Sequence, residues 1–335
     1  MSDLTPVRVT VDDRVRLISA VLSVTNFPQA PQDRKRHHAH AHARATTKYI
    51  HERGLQQHPA VMQLQALLDK GAPLEAIYTL ALALDWPGMQ SATLPQWAPD
   101  GWNEQLWSFY EAAELAAWWE QARTAWDNAE SQSRNAMTDV SFKSFLEPFV
   151  SEITDEMIFI PNLCYPADQE VGVRVKNQLI SIVPPPLAWG ESPPWPFDEE
   201  TLLAQHTYRA TLGQYARLLM TSYLREHSDA VAEASEQELP VSDVLRAQFP
   251  TWEDQFVTLF VAAIVAIYLE DTISPAEAKG FMVMERRVHN MDALPAVVNV
   301  LRRYLQERGN RYETMAEFLS VFPKQVRVAK RIISL

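Results

Sequence analysis

The chain has 335 residues and a mass of 38.2 kDa, enough for one large domain or two ordinary ones, because single hydrophobic cores stop growing near ~250–300 residues. With 47% apolar and 21% charged residues it cannot be a disordered chain, and its one cysteine, Cys164, excludes a disulfide framework and a cysteine-based structural zinc site. The net charge of −12 divides into +4 over residues 1–60, −11 over 61–160 and −5 over the rest, so the acidic bulk argues against a dedicated nucleic-acid binder and only the N-terminal section could attract phosphate.

The first 25 residues carry charges throughout and contain no apolar core segment, and no uncharged run reaches ~18 residues. The expectation is a cytoplasmic protein with neither signal peptide nor membrane span. Apolar residues from Val15 to Leu22 recur at helical spacing, with Asp12 or Asp13 as the cap. That helix stops before Phe27-Pro28. The Ala-rich, Pro-free stretch from His37 to Gly54 reads as a second helix, His58-Pro59 opens a third, and Leu74 to Leu84 forms a fourth. Residues 101–129 set Trp107, Tyr110, Leu115, Trp118, Trp119 and Trp126 among acidic residues, the pattern of one amphipathic helix with an aromatic stripe.

The texture changes after Pro148. Ile153 to Ile160 is strand-like, and Val171, Val173 and Val175 alternate with Gly172, Arg174 and Lys176, so a hairpin turning near Lys176-Asn177-Gln178 is expected. Six prolines between Pro184 and Pro196 make a rigid loop. Asp198 then caps a long helix to about Glu226, polar residues 228–242 read as a linker or exposed loop, and WEDQFVTLFVAAIVAIYLED is apolar on nearly every face, as a helix buried in a domain centre would be. Helices over Pro275–His289, Leu294–Arg308 and Tyr312–Phe322 complete the chain. The fold class expected is α+β, mostly α, with a helical N-terminal region (1–148) and a second region (149–335) that could equally be continuous with it.

The element order of the second region resembles that of a bacterial family of uncharacterised zincin-like proteins of the gluzincin metallopeptidase type. It runs from a hydrophobic strand ending in Ile160-Pro161-Asn162 through hairpin, proline-containing loop, long helix and polar insertion to a Trp-led apolar helix. VTVDDRVRLISAVLSVTNF, HPAV at 58–61 and GAPLEAIYTLALAL at 71–84 are similar to that family's helical lead-in. The resemblance implies a zinc site on the long helix: a His-Glu-x-x-His motif puts two ligands on one face with the Glu as general base, and a Glu on the next helix completes the set. This chain departs from it. His206 stands at the first ligand position, Thr207 at the base, Ala210 at the second ligand and Thr258 at the third. Three lost positions leave no catalytic zinc set, so the resemblance implies a degenerate member without cofactor, whose cleft binds a peptide or protein, with Tyr208 and Arg209 as groove residues.

The contrasting expectation is an active enzyme, either a metal-dependent hydrolase using the histidine cluster or one whose site is assembled from residues far apart in sequence. His37, His38, His40 and His42 form the most unusual local composition, and His38 and His42 have i, i+4 spacing. Against it, Arg34, Lys35, Arg36 and Arg44 flank the cluster, and no acid lies between Asp33 and Glu52. His206 on an apolar helix reads as a satisfied, half-buried histidine more readily than as a ligand, Cys164 as an inert buried thiol, and the tryptophan stripe as core rather than a carbohydrate or peptide groove. No G-x-S-x-G elbow and no phosphate-binding glycine loop occurs.

Overall fold

The computed structural model describes residues 7–29, 41–90, 94–186, 197 and 202–333. Its class is α+β, mostly α. The chain separates into two compact units, each drawing segments from both sides of residue 148. A sheet unit comprises Pro6–Val140 and Asp155–Thr211; a helical unit includes Ser141–Thr154 and Leu212–Leu335.

The sheet unit begins with β1 (Arg8–Val9) and α1 (Asp13–Leu22), whose N-cap is Asp12: its carboxylate accepts from the Arg14 amide. Arg14 also donates to the carbonyls of Leu82 and Leu84, both at 2.9 Å, placing a cation on the carbonyl end of a neighbouring helix. Next come α2 (Ala41–His51), α3 (Pro59–Asp69) and α4 (Leu74–Leu82). His58 caps α3, its Nδ1 accepting from the Ala60 amide, with Pro59 at the first helical position, where the missing N–H costs nothing.

The single amphipathic helix expected over 101–129 is instead three: α5 (Trp102–Ala112), α6 (Leu115–Gln121) and α7 (Arg123–Ala136). The first break is at Glu114, which adopts φ +48. Its carbonyl accepts from the Tyr49 hydroxyl and its carboxylate pairs with Arg53 at 2.9 Å, so contacts from α2 and the turn after it outweigh continuous helical hydrogen bonding there. Trp102, Trp119 and Trp126 are buried as core.

β2 (Glu156–Pro161), β3 (Val171–Val175) and β4 (Gln178–Val183) complete a four-stranded sheet in the order β1-β2-β4-β3. β1 and β4 flank β2 in parallel, with Ile158 opposite Ile180, and the β3–β4 hairpin turns at Lys176-Asn177 as the alternation requires. Five residues of β2 and five of β4 are buried in unbroken runs, the signature of central strands covered on both faces. α4 packs on β3 and α7 on β2.

The helical unit opens with α8 (Phe142–Val150), whose Phe142, Phe145 and Phe149 meet Tyr215, Tyr268, Phe260 and Tyr304. These ring contacts, with the Tyr304 hydroxyl donating to the Pro148 carbonyl at 2.9 Å, draw this segment into the helical unit. α9 (Leu202–Glu226) begins in the sheet unit and ends in this one; its expected cap, Asp198, lies outside the described residues. The polar stretch expected as a linker or exposed loop instead holds α10 (Ser228–Ser235), which buries Val231 and Ala234, and is followed by α11 (Asp243–Gln248).

α12 (Trp252–Thr272) is the central element. It is the one helix among the described residues long and apolar enough to cross a membrane, and 78% of its most apolar stretch is buried inside the protein. Thr251 caps it, accepting from the Asp254 amide at 3.1 Å, and Glu253 and Asp254 occupy its first turn. α13 (Pro275–Val288) and α14 (Leu294–Glu307) pack on α12. The helix expected over Tyr312–Phe322 is the shorter α15 (Met315–Leu319), and a helix that was not expected, α16 (Phe322–Ile333), follows it and lies on α14. Phe256, Phe260, Phe318 and Phe322 fill the centre. Burial of each contributes roughly 1.5–3 kcal/mol.

Candidate functional site

His206, Thr207, Tyr208, Arg209 and Ala210 lie on the first turns of α9, in the sheet unit. His206 Nε2 is 3.3 Å from the Pro184 carbonyl and Nδ1 is 3.2 Å from Arg209 Nη2. A guanidinium only donates, so Nδ1 is the acceptor and Nε2 carries the proton that it gives to Pro184. Burial first, and the Arg209 charge second, hold the ring below the ordinary histidine range, consistent with a neutral imidazole. Arg209 is in turn anchored by Glu170 Oε1 at 3.3 Å. This leaves His206 with no free lone pair for a metal.

The flanking side chains are engaged in the same way. Thr207, fully buried, donates to the Phe197 carbonyl at 3.2 Å, and Tyr208 donates to the Ala136 carbonyl at 2.8 Å. Ala210 is buried. Tyr208 and Arg209, expected as groove residues, are partly exposed and held by their bonds to Ala136 and Glu170. Thr258 belongs to the helical unit, on α12, where its hydroxyl is buried without a hydrogen-bond partner.

Of the histidine cluster, His37, His38 and His40 lie outside the described residues. His42 stacks on Trp118 with ring centroids 5.9 Å apart and meets the edge of Trp126 at 5.5 Å. Arg16 lies beside it, its guanidinium 4.2 Å from the Trp119 ring and 4.6 Å from that of Trp126, paired with Asp13 at 3.0 Å. Burial, and then the Arg16 charge, push His42 down to about 4. The same cation opposes a metal ion at this imidazole. Cys164 is buried, donates to the Ser19 carbonyl, and has its thiol pushed up to about 12 by burial, which removes thiolate reactivity. Among the described residues no group of three or more His, Cys, Asp or Glu side chains is gathered as a metal site.

Open space of a different kind occurs in the helical unit. A groove of about 630 Å³ runs between the end of α9, α10 and the start of α12. α9 approaches α12 nearby, where a Cβ on Gly213 would sit 3.6 Å from Val261, and Leu224 and Val257 share the groove. Leu224, Val231 and Val257 form an apolar floor. The rim carries exposed Arg225 on the α9 wall and exposed Glu253 and Asp254 on the α12 wall. No ion pair among the described residues joins these walls, and the two carboxylates sit at the helix N-terminus, where its dipole favours them.

None of these groove residues stands out in the sequence. The available signal was local: Val231 and Ala234 at i, i+3 spacing within the polar stretch, and acids in the first turn of the Trp252 helix. No family model, no curated protein and no solved structure matches the chain.

Proposed function

We propose that the chain is a non-catalytic, zincin-like protein that binds a peptide segment of a partner protein in the groove between α9, α10 and α12. The observation that carries this reading is the groove itself: an apolar floor between a cationic wall at Arg225 and an acidic wall at Glu253 and Asp254. Such a site suits a short segment with one apolar anchor flanked by a basic and an acidic side chain, because desolvated apolar contact supplies affinity and the opposed charges set direction. The absence of hydrolytic chemistry is supported by the engagement of both His206 nitrogens and by Thr207, which offers no carboxylate base.

Selection from a random peptide display library tests the binding. Sequences enriched on the wild-type chain are expected to carry the acidic–apolar–basic pattern and to lose affinity on Ala232→Trp, which fills the groove from an exposed position. No enrichment, or enrichment indifferent to that substitution, would overturn the reading. Elemental analysis after mild dialysis tests the other half. The expectation is no stoichiometric zinc; about one Zn²⁺ per chain, lost on His206→Ala, would restore the metalloenzyme alternative.

A further inference from the structure

α13 presents an apolar face that the described chain covers only in part. Val283, Met284 and Val288 are 37%, 40% and 61% exposed, whereas the positions turned inward are Ala278 and Glu285. The outward face also contains Gly280, a helix-interior glycine whose φ is not in the left-handed region and whose missing Cβ would meet nothing within 4 Å. Neither backbone geometry nor packing within the chain explains it, although glycine in a helix interior weakens the helix. The Ser242 hydroxyl donates to the Asn290 carbonyl at 3.0 Å, bringing exposed Val244 to the same end of the helix as Val288.

The charges on this face choose its occupant. Glu277 lies in the first turn and Arg287 in the last, and neither forms an ion pair among the described residues. A helix face with an anion at one end, a cation at the other and apolar residues between is complementary to itself when laid antiparallel. We infer that α13 is the contact between two copies of this chain, paired antiparallel about the middle of the helix. Each Arg287 then lies toward the other copy's Glu277, and Met284 of each copy covers the bare backbone at Gly280 of the other. Such a contact is isologous and closes as a dimer.

Sedimentation equilibrium of the full chain tests this over a wide concentration range. The wild-type chain is expected to reach twice 38.2 kDa, and Met284→Glu to remain at 38.2 kDa at every concentration. Glu277→Arg alone should weaken association about tenfold or more by placing like charges together, and Glu277→Arg with Arg287→Glu should recover it. All three positions are at or near the surface, and cooperative melting of the dilute variants, with a small drop for the two that place a cation in the first turn of α13, establishes that folding is intact. A wild-type chain that stays monomeric, or a dimer indifferent to Met284→Glu, or a double reversal no better than the single one, would overturn the inference. The peptide groove uses other helices, so its selection experiment stands or fails separately.

Discussion

In the sheet unit, polar side chains close on one another. Ser19 donates to the Tyr78 hydroxyl, which donates to the Tyr165 carbonyl; Asn162 donates to that carbonyl too, and His206, Arg209 and Glu170 form a chain of their own. In the helical unit the core is nearly all aromatic and aliphatic, and the charges at the end of α9 and the start of α12 face open space. The contrast teaches where to look for function. A side chain whose hydrogen-bonding capacity is met inside the protein has nothing left for a ligand, however suggestive its chemistry, while an unpaired charge beside an apolar floor has its capacity in reserve.

The largest effect should come from opening the closed network. Tyr78→Phe removes one hydroxyl and leaves both the Ser19 hydroxyl and a share of the Tyr165 carbonyl unmatched in a fully buried setting. A loss of about 2–3 kcal/mol in urea unfolding is expected, at the upper range for an orphaned buried polar group. A loss below about 0.5 kcal/mol would mean that the network is dispensable and the comparison fails.

Acid should attack the same unit next. His42 and His206 are both held below the ordinary histidine value by burial, with the neighbouring arginines adding to it. As pH falls below 6.5 the unfolded chain takes up protons that the folded chain refuses, so stability present at neutral pH is lost on the way down to about 4. His42 keeps some exposure, so a discounted loss of about 1–2 kcal/mol between pH 7 and pH 5 is expected. His42→Phe, which preserves the ring against Trp118 and Trp126, should flatten that slope. An unchanged slope in urea titrations at the two pH values would mean that His42 does not carry the pH dependence.

The sequence made periodic elements legible and tertiary interruptions illegible. Val171 to Val183 showed its hairpin through period-two alternation, and α12 showed its burial through apolar residues on every face, because both signals are local. The break at Glu114 was hidden, since its cause is Tyr49 and Arg53, more than sixty residues away in sequence. β1 was hidden because two residues carry no period, and α10 because only Val231 and Ala234 mark it as anchored. The residues named for their chemistry were conspicuous, but sequence could not show that Pro184 and Arg209 occupy both nitrogens of His206. The groove residues had the reverse problem: Arg225, Glu253 and Val257 are ordinary until three helices bring them together.

A smaller change of opposite sign is expected on α13. Gly280→Ala at dilution should stabilise the chain by about 0.5–1 kcal/mol, since the site is helical, unstrained and open. Destabilisation measured by urea unfolding would show that Gly280 is packed against something within the single chain.

The smallest stability effect is the sharpest test of the comparison. Arg225 stands on the groove rim, exposed and outside any ion pair among the described residues, so Arg225→Ala removes a charge without orphaning a partner. Only the packing of its aliphatic stem is at stake, and stability should move by no more than about 0.5 kcal/mol. Peptide affinity should respond quite differently, because the opposed charge that fixes one end of the segment is gone while the floor of Leu224, Val231 and Val257 is intact. Peptides selected on the wild-type chain should therefore bind about tenfold more weakly, with the difference shrinking at high salt as the exposed charges are screened. If Arg225→Ala instead costs more than about 1 kcal/mol of stability, its guanidinium is a member of a closed network like that of Arg209, and the distinction between the two units dissolves.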